Sequence, residues 1–112
     1  MLKRSMESDW KAWWNVMPSP MGTSPILHVV GSIDVGDEST SATLIFDSYQ
    51  KTDPPSLVLR IVEKLIFIPR EQGDTKITLH YSQTSMPGQI QKVIIVYPDG
   101  EIVTIDKIST AH

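Results

Sequence analysis

The stretch 91-QKVIIVYPDGEIVTIDKI-108 decides the class of fold. Two β-branched runs, Gln91 to Tyr97 and Glu101 to Ile108, flank Pro98-Asp99-Gly100. Proline presets the first corner of a turn, aspartate hydrogen-bonds its own backbone, and glycine takes the left-handed position at no steric cost. That order predicts a three-residue hairpin with a glycine bulge.

Working outward, the same texture recurs back to Pro25. Lys76 to Ser82 alternates, with Ile77, Leu79 and Tyr81 on one face and Lys76, Thr78 and His80 on the other. Ile26 to Ile33 sets Leu27, Val29 and Ile33 against Ile26, His28 and Val30. Ala42 to Tyr49 sets Ala42, Leu44 and Phe46 against Thr43, Ile45, Asp47 and Tyr49. Strict alternation marks half-buried strands. Leu57 to Ile68 fits either period. Its β-branched and aromatic content favours a strand, split or bulged near Glu63-Lys64. Six to seven short strands at this spacing predict a mainly β fold: a small antiparallel β-sandwich of immunoglobulin-like architecture, with a small β-barrel as the alternative.

The first residues differ. Met6, Trp10, Trp13, Trp14 and Met17 recur at helical spacing over residues 5–17, with Ser5 or Ser8 as caps and Pro18 and Pro20 as stops. The expected organisation is an N-terminal amphipathic, Trp-rich helix over 1–17, a Pro/Gly/Ser connector over 18–25, and a single β-domain over 26–112. Trp10, Trp13 and Trp14 are all the tryptophans of the chain. They either close an open side of the sheet or form an exposed anchor, and as an anchor they are the candidate partner-binding residues.

Composition narrows the chemistry. The 112 residues carry 10 basic and 13 acidic side chains, for a net charge of −3, and the basic ones are scattered. Nucleic-acid binding needs a concentrated positive face, so it is not expected. There is no cysteine, which excludes disulfides, thiolate catalysis and Cys-based zinc sites. That absence, and the lack of a signal-like apolar run near the start, point to the cytoplasm. The apolar run Leu57 to Ile68 is interrupted by Arg60, Glu63 and Lys64, so membrane insertion is not expected either.

No catalytic constellation stands out. No serine sits in a Gly-x-Ser-x-Gly elbow, the glycines are too dispersed for a phosphate loop, and the carboxylates fall at strand ends. No catalytic or cofactor residue is assigned. Weak metal candidates are His28 and His80, which could meet on one outer face with Asp47 or Glu63, and His112 is terminal. The acidic turn Asp34-Val35-Gly36-Asp37-Glu38 lacks calcium-loop spacing and reads as a solvated turn. The expected function is a non-enzymatic module that binds protein or itself through the Trp segment and a sheet edge. The alternative is a small-ligand or metal-binding module using the sandwich interior or the His28/His80 face.

Overall fold

The computed structural model describes residues 9–16 and 25–111. Eight strands run in order: β1 Lys11–Asn15, β2 Ile26–Asp34, β3 Thr40–Gln50, β4 Ser56–Leu65, β5 Lys76–Thr84, β6 Val93–Val96, β7 Ile102–Ile105 and β8 Ser109–Ala111. They form two four-stranded sheets, ordered β5-β2-β1-β8 and β3-β4-β6-β7. Each sheet holds one parallel pair, β1 with β8 and β4 with β6. The mainly β class is as the alternation implied. The count and pairing differ from the four-plus-three layout of an immunoglobulin constant domain.

Alternation places the core. Leu27, Val29 and Ile33 of β2 are buried, as are Leu57, Leu59 and Ile61 of β4, Val93 and Ile95 of β6, and Leu79 of β5. All belong to one apolar cluster that draws on both sheets. Each such side chain contributes about 1.5–3 kcal/mol relative to exposure. The hairpin forms as its turn residues dictate. Gly100 has φ +92°, and the Gly100 N–H donates to the Tyr97 carbonyl at 2.9 Å.

The helix expected over 1–17 is overturned where the chain is described: Lys11–Asn15 is a strand between β2 and β8. Trp10 and Trp14 are four apart, a spacing that suits one face of a helix and equally one face of a strand. Trp13 separates the two readings, because in a strand it must point the opposite way. Trp10, Ala12 and Trp14 are buried while Lys11 is exposed and Trp13 half-buried, which is period two. The gain is tertiary. β1 pairs with β2 along Lys11↔Val30 to Asn15↔Ile26 and lays Ala12 and Trp14 beside Val29 and Leu27. The expected caps Ser5 and Ser8, Met6, Met17, residues 18–24 of the connector and His112 lie outside the described residues.

Two further expectations are corrected. β4 carries no bulge at Glu63-Lys64, which pair regularly with Ala42 and Ser41. The irregularity sits across from β4, in β3 between Phe46 and Ser48. Asp47 is the extra residue, and it moves Tyr49 to the face of Phe46. Phe46 opposes Leu59 and Tyr49 opposes Leu57, and residues directly opposed share a face. Beyond Leu65 the chain leaves the sheet, so Phe67 and Ile68 are not strand residues.

Candidate functional site

The three tryptophans part company. Trp10 is 7% exposed and donates from Nε1 to the Tyr97 hydroxyl at 2.9 Å. Trp14 is 5% exposed and donates from Nε1 to Ser85 Oγ at 3.3 Å. Both indoles therefore finish the core, and neither offers a ring to a partner. The Trp10 indole lies on the backbone of Gly31, where an added Cβ would overlap it. Trp13 alone stands on the outer face of the first sheet.

That face also holds the two histidines. The Trp13 and His28 rings lie 5.2 Å apart at 22°, and those of His28 and His80 lie 5.3 Å apart at 12°. His28 Nδ1 is 3.1 Å from His80 Nε2. A short N···N distance with a long centroid distance in nearly parallel rings is the edge-to-edge geometry of an N–H···N bond. One imidazole donates and the other accepts, which requires the accepting ring to be neutral. Burial first, and the His80 imidazole second, hold His28 below its ordinary value of 6.5. Asp47 and Glu63 sit on β3 and β4 of the other sheet and do not join the histidines. Among the described residues, no group of three or more His, Asp or Glu is placed to hold a metal ion.

The acidic turn consumes its own carboxylates. Asp34 Oδ1 accepts from the Gly36 N–H and Asp37 Oδ1 from the Ser39 N–H, both at 2.8 Å. Glu38 Oε1 accepts from the Gly73 N–H at 2.6 Å. Hydrogen bonds from Thr40 and then Ser39 hold the Asp37 carboxyl below its ordinary value. Val35, in the same turn, is fully buried, which the charged neighbours concealed.

A pocket of about 350 Å³ opens where the ends of β3 and β5 approach, lined by Tyr49, Gln83, Gln89 and their neighbours. Gln83 Nε2 donates to the Tyr49 hydroxyl at 3.2 Å, and the Tyr81 hydroxyl donates to Gln83 Oε1 at 2.8 Å. Burial, followed by Tyr49, raises Tyr81 above its ordinary value. The lining is uncharged and largely satisfies itself, so it supplies no acid–base pair.

The surface feature that sequence reasoning missed is apolar. β3 is the terminal strand of the second sheet, eleven residues long. Ile45, Phe46 and Tyr49 on it are about half exposed, as is Val62 on β4. Next to its start, Leu65 is 82% exposed, Ile68 is 85% exposed and Phe67 is fully exposed. The segment is held in place: the Ile66 N–H donates to the Ser39 carbonyl, and the Arg70 N–H donates to that of Glu38. Monomeric proteins rarely leave large apolar side chains grouped this way on a surface. The signal in the sequence was Leu65-Ile66-Phe67-Ile68-Pro69, in which the proline cannot continue a central ladder.

No protein-family model, curated protein or solved structure matches this chain. No helix among the described residues is long and apolar enough to cross a membrane.

Proposed function

We propose that this chain is a non-enzymatic β-sandwich that acts by binding protein, with the terminal strand β3 as its contact element. The observation that carries the reading is the uncharged part of that strand, Thr40 to Phe46, with Ile45 and Phe46 half-exposed on opposite faces, beside the exposed Leu65, Phe67 and Ile68; the Tyr49 end of β3 is engaged with Gln83 of β5. An unpaired strand edge offers a row of backbone donors and acceptors to another chain, and apolar side chains add the affinity. A photo-crosslinking residue at Ile45, irradiated in the source cells, tests it. Discrete adducts should form from position 45 and not from Thr104 on β7. Equal yields at both positions, or none, remove the reading.

A second reading rests on the histidine pair. Two imidazole nitrogens 3.1 Å apart can bind one ion with bonds of about 2.0–2.1 Å at roughly a right angle, the ion replacing the shared proton. Zinc should then raise the melting temperature of the chain, and His28→Ala should abolish the shift. Equal shifts in both proteins, or none in either, end it.

A further inference from the structure

We propose that the partner at β3 is a second copy of this chain, joined by antiparallel pairing of β3 with β3 about a two-fold axis near Thr43. This rests on the reading of β3 as the contact element and adds the identity of the occupant.

Natural edge strands are guarded by lysine, proline, shortness or bulges. From Thr40 to Phe46 (TSATLIF) β3 has no charge and no proline, and its first guard is Asp47, the bulge residue. The Asp47 carboxylate lies 3.6 Å from Arg60, on the neighbouring strand. The regular, uncharged part of the edge is therefore seven residues centred on Thr43. A strand paired antiparallel with itself about Thr43 uses that part and leaves Asp47 outside the ladder.

The apolar side chains give the reason for a second copy. They form two groups at opposite ends of the edge. Leu65 opposes Thr40 at the beginning of β3, with Phe67 and Ile68 beyond it. Phe46 and Tyr49 lie toward the other end, their rings 5.1 Å apart at 59°. Within one chain the two groups are held apart by the length of the strand. Pairing about Thr43 sets Thr40 of one copy against Phe46 of the other. Leu65 and Thr40 then continue the same row and face as the second copy's Phe46 and Leu59. The two-fold repeats this contact at the other end, so the Leu65 end of each copy lies beside the Phe46 of the other. An isologous interface needs this kind of self-complementarity, in which a patch and its counterpart sit on one surface. On the opposite face Ser41 meets Ile45, and Thr43 meets its own copy on the axis. No like charges face each other in the ladder, and the two sheets become one of eight strands.

The axis residue gives the test. Thr43 is exposed, so Thr43→Lys and Thr43→Asp should leave circular dichroism and melting at low concentration unchanged. Sedimentation velocity over a concentration series should carry the unaltered chain from 12.6 kDa toward twice that mass. Each variant alone should remain at the single-chain mass, because two like charges meet on the axis. An equimolar mixture of the two should recover the dimer. Phe67→Asp should weaken the dimer by roughly ten-fold or more, as loss of a large interface side chain does, and Thr104→Lys on β7 should leave it intact. An unaltered chain that stays at one mass at every concentration overturns the second copy as partner, while the crosslinking result at Ile45 stands or falls separately. A dimer that tolerates Thr43→Lys overturns the pairing of β3 with β3, and the contact at Ile45 is then judged by crosslinking alone. A mixture that fails to recover the dimer overturns the two-fold register.

Discussion

Gly31 shows how tightly single residues are specified. It occupies the core face of β2, and the Trp10 ring fills the space a side chain would need. Gly31→Ala should therefore lower stability by about 1–3 kcal/mol, the usual range for overpacking, as read from urea unfolding. Tyr97→Phe deletes the acceptor of the buried Trp10 N–H and keeps the ring. Its expected cost is also about 1–3 kcal/mol, since an unmet buried donor carries its desolvation penalty. His28 supplies a pH dependence. In the unfolded chain it titrates near 6.5, while burial and His80 depress it in the fold. The unfolded state thus holds more protons between the two values. His28's contribution is complete above 6.5 and declines as pH falls from there through the folded value. Melting temperatures of the unaltered chain should drop more steeply over that window than those of His28→Asn. Parallel curves would exclude the effect.

Among the elements, β1 departs furthest from its sequence pattern. A helix on a flexible connector would be dispensable to the rest. A strand between β2 and β8 that carries Trp10 and Trp14 into the core is not. Deleting residues 1–16 should abolish the cooperative unfolding transition, whereas a detachable helix would leave it in place. The contrast explains what was legible. β2, β5 and the β6–β7 hairpin announced themselves because their alternation or turn chemistry is local. β1 did not, because a four-residue interval fits both periods and the deciding factor was the vacant edge of β2. The bulge at Asp47 was hidden for a related reason. An extra residue changes parity downstream, and only the register against Leu57 and Leu59 reveals that Tyr49 has joined the face of Phe46. As for the candidate site, the alternation brought His28 and His80 to one face, and the contact edge it led us to expect belonged to no named strand. It did not indicate which edge, because strand order depends on contacts between distant segments.

For the whole molecule, the two sheets share one apolar core, yet substantial apolar surface remains outside it, concentrated around β3 and the Leu65–Ile68 segment. If a second copy covers that surface, folding and association are linked by mass action. The melting temperature should then rise with protein concentration, and the slope should vanish in Thr43→Lys. A concentration-independent value would mean that the monomer carries its full stability alone.

The bond between Trp10 and Tyr97 joins residues 87 apart in sequence, and that between Trp14 and Ser85 spans 71. Contacts over such separations assemble late, because the intervening chain must first be ordered. Two of the three indole fluorophores thus report on contacts between distant parts of the chain. In a stopped-flow refolding experiment, their emission should lag behind the far-ultraviolet signal of the locally formed hairpins. A lag would make light emission from this protein a clock for the docking of its first strand.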